Sequence, residues 1–352
     1  MFELKRGIVK RECEVTKDYQ VVEVEFDDKD VSKAINLLDI NKKVVVGQDV
    51  LVNVTARKLK LGTGGYDYIL PTTPFSNHTK GHIMKLRYTP LQFSVLTEEE
   101  KNPELFNRIP DFNDLIIVVC ELHSMLMPIC LYLKERDRDI KVSVIINDWG
   151  MLNAKLSHNL FFLKENHFID YVITCQEAFN GDFECINEIN SLIFSKSLDT
   201  QVAIISPLPG VVGTGTKFGF SAYKAVSVIE DISRFGGRII FPVRVSKSEK
   251  RERHKMVSHH SLTILSYVNS SVEIPIYQFE DRIFYTQVFK ILNNYRTKHI
   301  LTPIERIDDN IIEKYKLLLK TMERGFEEDS EYFLQLFATA EYILKKLHRE
   351  MK

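Results

Sequence analysis

The spacing of apolar and polar positions changes partway along the chain. In Gln20-Val21-Val22-Glu23-Val24-Glu25-Phe26 the two kinds alternate, the period of a half-buried strand. Residues 7–10 and 49–54 also resemble short strands, though they do not alternate outright, with polar turns at 27–30 and 46–49. Short strands joined by polar turns predict a small β-barrel, SH3-like or OB-like, over residues 1–96. From Asp114 onward the strands are apolar throughout, at 115–120, 142–146, 171–174, 202–205 and 238–243. Between them lie helical stretches at 124–134, 154–164, 184–195 and 222–235, and a further strand-helix-strand unit spans 272–303. This alternation predicts an α/β domain over residues 113–305, Rossmann-like, with a mostly parallel sheet covered on both faces. A helical tail follows over 306–352. Ile311, Ile312, Tyr315, Leu318 and Leu319 form one apolar stripe, and Phe333, Leu334, Phe337, Tyr342 and Leu344 another. The tail suits either packing on its own domain or a homo-oligomer interface.

The stretch Pro207-Leu208-Pro209-Gly210-Val211-Val212-Gly213-Thr214-Gly215-Thr216-Lys217 joins an apolar strand to a helix. A Gly/Thr-rich turn at that place exposes backbone N–H groups beside the positive end of a helix dipole, which favours an anion. Gly210 and Gly215 have P-loop spacing, but Thr216 precedes Lys217, the reverse of the order that motif needs. Gly213, Gly215 and Gly219 miss the dinucleotide fingerprint, since the third glycine falls one residue late. The plainer alternative is glycines that only allow a tight turn. Anion binding by Gly210, Gly213, Thr214, Gly215, Thr216 and Lys217 is the preferred reading.

In open α/β sheets ligands bind beyond the carboxyl ends of the strands. The polar residues expected there include Glu121, His123 and Ser124, then Asn147, Asp148 and Trp149, then Gln176, Glu177, Asn180 and Asp182. After the fifth strand come Lys247, Arg251, Arg253, His254, Ser258, His259 and His260. His123, Asp148, His254, His259 and His260 are the candidate catalytic residues. All are residue types that ligate divalent metals, but their spacing matches no ligand pattern, and adjacent His259 and His260 are not expected to reach one ion from a regular helix. Acid–base work is favoured, because an ordinary imidazole titrates near neutral pH. Arg251 and Arg253 are expected to share the anion with the glycine loop. The stretch 81–90 alternates like a strand, with His82, Met84, Leu86 and Tyr88 on one face and Lys85 and Arg87 on the other. His82, Lys85 and Arg87 are expected to face the same ligand.

A formal net charge of −1 gives no global pull toward nucleic acid or membrane. The 352 residues are 44% hydrophobic and 27% charged, ordinary values for a soluble globular protein. No apolar run approaches the ~20 residues that span a bilayer. Met1-Phe2-Glu3-Leu4-Lys5-Arg6 lacks the apolar core of a signal peptide, so a cytoplasmic location is expected. Cys13, Cys120, Cys130, Cys175 and Cys185 are odd in number and widely spaced, which argues against a disulfide framework or a structural zinc site.

The segments Leu61-Gly62-Thr63-Gly64-Gly65-Tyr66, 81–92, Leu122-His123-Ser124, 210–221 and 251–261 resemble the signature segments of an uncharacterised bacterial family, a domain of unknown function. The resemblance covers about residues 5–268 and leaves out the helical tail. It implies no activity, cofactor or catalytic residue. The residues themselves favour a hydrolase or group transferase that binds an anionic metabolite or nucleotide. The alternatives are a non-catalytic sensor of such a molecule, or an RNA-associated protein using the barrel. The expected partner is a small anionic molecule, with nucleic acid not favoured and no membrane. The residues identify no cofactor or metal.

Overall fold

The computed structural model describes residues 3–59, 65–71, 81–89, 92–150 and 152–350. Leu61 to Gly64, Pro90 and Leu91 of the segments above lie outside the described residues. The chain forms two compact units, one of residues 1–80 and 86–94, the other of residues 81–85 and 95–352.

The first unit is a closed five-stranded barrel of β1 (Leu4–Val15), β2 (Tyr19–Phe26), β3 (Val31–Leu37), β4 (Asp49–Asn53) and β5 (Asp67–Ile69), in the order β1-β2-β3-β5-β4. Strand β3 pairs parallel with β5, whereas β1–β2, β1–β4, β2–β3 and β4–β5 pair antiparallel, which makes the barrel OB-like. Alternation in β2 sends Val22, Val24 and Phe26 into the core with Val50 and Val52. Gln20 also points inward and bonds both polar atoms of the Val44 backbone, at 3.0 and 2.8 Å. Its carboxamide oxygen further accepts from Asn36 at 3.3 Å, so the buried amides satisfy one another. Glu23 and Glu25 sit in ion pairs with Arg11, Lys10 and Lys29.

The second unit is built on eight parallel strands: β6 (Ile116–Val119), β7 (Val142–Asp148), β8 (Tyr171–Gln176), β9 (Phe183–Glu184), β10 (Val202–Ser206), β11 (Arg238–Ile240), β12 (Glu273–Tyr277) and β13 (Ile300–Ile304). Their order in the sheet is β9-β8-β7-β10-β6-β11-β12-β13. Ile116 and Val118 face one apolar layer, Ile117 and Val119 the other. Burial on both faces explains why these strands are apolar throughout. The first layer holds α1 (Leu126–Arg136), α2 (His158–Glu165), α7 (Asp309–Tyr315) and α8 (Ser330–Glu350). The second holds α3 (Glu188–Ser197), α4 (Ala225–Ser233), α5 (His259–Tyr267) and α6 (Arg282–Asn293). No helix among the described residues is long and apolar enough to cross a membrane.

The connection leaving β6 enters the first layer, and those leaving its neighbours β10 and β11 enter the second. The loops therefore part around the carboxyl end of β6, the topological switch point where such sheets bind ligands. The tail belongs to this unit. Gln335 of α8 donates to Pro275 O at 2.7 Å and accepts from Tyr277 N at 3.1 Å, and Tyr342 bonds Glu273 at 2.8 Å.

The strand expected at 81–90 is cut to Ile83–Lys85. Leu86 and Tyr88 adopt left-handed backbone (φ 47 and 63), which a continuing strand does not allow.

Candidate functional site

The segment after β11 does not enter its helix directly. Val245–Ser246 pairs antiparallel with Met256–Val257, and the 3-10 turn Glu252–His254 lies in the loop between them. This small hairpin returns His254 to the start of α5, whose first residues are His259 and His260. The ring centroids of His254 lie 4.9 Å from those of His259 and 4.8 Å from those of His260, and the two adjacent rings are 4.4 Å apart. One nitrogen from each ring falls within 4.8 Å of the others. Adjacent histidines were not expected to converge from a helix. They do so here in its first turn, where a nearby ring on a separate turn completes the group.

Ser258 organises the cluster. Its hydroxyl caps α5 by accepting from His260 N at 3.2 Å, and lies 2.8 Å from His254 Nδ1. His254 Nε2 accepts from Arg253 Nε at 3.3 Å, so Nδ1 carries the proton and donates to Ser258. His259 Nε2 and His260 Nδ1 are buried and have no partner. Burial, reinforced by Arg244, Arg251 and the neighbouring rings, keeps these imidazoles neutral. It holds His254 and His260 down to about 3 and lowers His259.

Beneath the rings is a buried charge network. Arg244 and Glu249 pair at 2.8 Å, and Arg251 and Arg324 reach the same carboxylate at 3.0 and 3.4 Å. Arg324 also pairs with buried Asp329 at 3.0 Å. The hydrogen bond from Arg251 and the surrounding guanidinium groups hold Glu249 far below the usual carboxylate range. Among the described residues, Arg253 pairs with no carboxylate.

The glycine segment folds over this cluster. Gly213 bridges Phe220, Thr214 N donates to Gly219 O at 2.7 Å, and the hydroxyls of Thr214 and Thr216 lie 2.9 Å apart. A hairpin lobe results, and the 3-10 turn Ser221–Lys224 separates it from α4. The glycines therefore do not form the first turn of that helix. A side chain built at Gly213 would start 3.9 Å from His260 Nε2, and one at Gly215 would start 3.3 Å from Arg253 Nη1. Phe220 stacks on His260 with centroids 3.9 Å apart and planes at 6°. Lys217 turns to α5, where its ammonium donates to the Tyr267 hydroxyl at 3.1 Å. Gly210, at φ 109, lies at the base of the lobe.

The other candidates hold the frame. His123 Nδ1 donates to Pro207 O at 2.9 Å, and its Nε2 accepts from Ser157 Oγ at 2.6 Å. Asp148 accepts from Leu208 N at 3.0 Å and Gly150 N at 2.8 Å. Both residues thus fasten the chain just before the lobe. Lys85 is buried and donates to Gln176 O and Ala178 O, the latter at 2.9 Å, so its ammonium holds the loop after β8. His82 is exposed beside Glu100, and Arg87 is exposed in the first unit.

Arg244, Glu249, Arg324 and Asp329 were not singled out from the sequence. Two of the pairs are local, Arg244 with Glu249 and Arg324 with Asp329, and the contact of Arg324 with Glu249 that joins them into one network spans the segment after β11 and the tail, which no spacing signal records.

Glu121, two residues beyond β6, is a fully buried carboxyl. Its Oε2 accepts from Ser261 Oγ at 2.9 Å, and its Oε1 has no partner. Burial pushes it up to about 7, against the pull of Arg244 and Ser261. A carboxyl raised above its unfolded value supports the fold fully at low pH and loses that support as pH rises through 7. Glu121→Gln is therefore expected to flatten the decline in stability between about pH 5 and pH 8, a span worth a few kcal/mol. Glu184 is also pushed to about 7 by burial, so part of the decline remains. Urea unfolding of parent and variant across that range checks this, and parallel curves would show that Glu121 does not titrate there.

The fold and site define a two-part protein, an OB-like barrel with a Rossmann-like parallel sheet that carries a His–Arg cluster at its switch point. The chain belongs to the family described as Protein of unknown function (DUF3866), whose model matches residues 33–340. The match takes in most of the tail, which the resemblance drawn from the sequence had left out at about residue 268. No curated protein matches the chain.

Proposed function

We propose that the chain binds an anionic small molecule, a phosphate ester or phosphoanhydride, between the lobe at 210–217 and the group Arg253, His254, His259 and His260, and that it hydrolyses the molecule or transfers a group from it. One observation carries this reading: Gly213 and Gly215 lie directly over His260 and Arg253. A side chain at either position would press on these groups, at 3.9 Å from His260 Nε2 and 3.3 Å from Arg253 Nη1. Arg253 supplies a forked donor set with no carboxylate to neutralise it, suited to a planar or tetrahedral oxyanion. Thr214, Thr216 and the backbone of the lobe add donors. Lys217, on the lobe, adds a further positive charge. The neutral imidazoles present lone pairs where the reacting group would lie, as general bases or as metal ligands. His123 and Asp148 are positioning residues, which set where the lobe begins.

Titration calorimetry with inorganic phosphate and pyrophosphate tests the binding. Arg253→Ala is expected to weaken affinity at least tenfold, since a hydrogen bond to a charged group contributes about 1.5–3 kcal/mol. Arg253 is exposed, so the melting temperature should hold. Equal affinity in parent and variant would remove Arg253 from the site. Release of phosphate from pyrophosphate or a nucleoside diphosphate tests the chemistry, and binding without release would make the protein a sensor.

A further inference from the structure

We propose that His254, His259 and His260 are the three protein ligands of a divalent transition-metal site, with zinc the best match to an all-imidazole set. The three rings bring one nitrogen each within 4.8 Å of the other two. In two of these rings a buried nitrogen, His259 Nε2 and His260 Nδ1, has no partner, a state that buried polar atoms rarely keep unless something satisfies them. The third ring already has the support that metal-bound histidines use: His254 Nδ1 donates to Ser258 Oγ, which leaves Nε2 as the ligating atom. Tetrahedral zinc with nitrogen ligands at about 2.0–2.1 Å needs the nitrogens about 3.3 Å apart. Nitrogens up to 4.8 Å apart must therefore draw in by as much as about 1.5 Å, and His254 must exchange the Arg253 donor at 3.3 Å for the metal. That exchange frees the Arg253 fork.

Three protein ligands leave a fourth position open, the pattern of a catalytic rather than a structural site. The segment beside His260 is the glycine lobe, where Gly213 keeps the approach clear. The charges also fit. Arg244, Arg251 and Arg324 share Glu249, so these guanidinium groups are already partly neutralised below the rings. An anion in the fourth position would balance the remaining positive charge between the metal and Arg253. This last point rests on the anion site proposed above, whereas the ligand set does not.

The test uses the full chain without an affinity tag, stripped with chelator and titrated with Co2+ and Zn2+. One equivalent is expected to bind. The Co2+ form should show visible absorption of low coordination number without the near-ultraviolet band of thiolate ligation, which separates this site from the cysteines. His259→Ala, at a half-exposed position, and His260→Ala should each weaken Zn2+ binding by more than the about 10–100-fold that loss of an outer partner costs. Ser258→Ala should fall within that range. Arg253→Ala should keep the metal while losing phosphate, so the two proposals fail separately. Stoichiometric Zn2+ binding that survives His259→Ala and His260→Ala in folded protein would overturn the assignment, as would no binding by the parent.

Discussion

Gly215→Val is expected to abolish phosphate binding in a chain that still folds. Gly215 has φ +81, a conformation that a β-branched residue adopts only with strain. Its side chain would start 3.3 Å from Arg253 Nη1 and 3.5 Å from Cζ, so the guanidinium must move aside. Valine therefore acts twice, distorting the lobe and displacing the forked donor it faces. The strain costs about 1–2 kcal/mol, and loss of Arg253 to the anion costs more. The global fold should tolerate this, because residues 212–218 are exposed and outside both apolar layers of the sheet. Thr216→Ala is the milder control. It removes one hydroxyl bonded to Thr214 and is expected to cost about 1 kcal/mol. Titration calorimetry with inorganic phosphate, beside circular dichroism, separates binding from folding. Parent-like affinity in folded Gly215→Val would take the lobe out of the site and leave the His–Arg cluster alone.

Much of the fold is legible in local pattern because one physical cause controls it. Strands covered on both faces must be apolar throughout, as at 116–119 and 202–206, while half-covered strands alternate, as at 20–26. Loop residues beyond the strand ends can be named on the same logic: Glu121, Arg253 and His254 do follow parallel strands of the sheet, and Asp148 is the last residue of one. Position in the sheet is a different matter. β10 inserts between β6 and β7 although two strands separate it from β7 in the chain, and no local signal records that. The closeness of His254 to His259 depends on the hairpin of Val245–Ser246 with Met256–Val257, two residues on each side, too short to read from alternation. The charge network is equally hidden, since Glu249 meets Arg324 from 75 residues away in the chain. The glycines show a further limit. Their spacing suggested a phosphate turn at a helix start, but the Gly213–Phe220 bridge closes them into a lobe ahead of α4. Composition marks where the backbone needs freedom, and tertiary pairing decides how that freedom is used.

His123→Ala is expected to be the most destabilising single change among the candidate residues. The ring is buried, and both nitrogens are engaged inside the protein. A carbonyl can only accept, so the bond to Pro207 O places the proton on Nδ1 and leaves Nε2 to accept from Ser157 Oγ. The same serine hydroxyl caps α2 by accepting from Leu160 N at 3.1 Å. One imidazole therefore joins the loop after β6, the start of α2 and the chain entering the glycine lobe. Removing it takes the acceptor from the buried Ser157 hydroxyl proton, leaves Pro207 O with the Ser206 hydroxyl as its donor, and opens a cavity, together about 3–5 kcal/mol. For a domain of this size the melting temperature should fall by roughly 10 °C. Burial lowers this imidazole to about 4, below its unfolded value near 6.5. A depressed histidine supports the fold above the unfolded value and loses that support as pH falls toward 4. The variant should accordingly lose less stability than the parent between pH 7 and pH 5. His254 and His260 shift in the same direction, so some slope remains in both. Urea unfolding at the two pH values measures the difference. Parent-like stability at pH 7 together with lost turnover would instead put the His123 imidazole in the chemistry, with Ser157 as its partner.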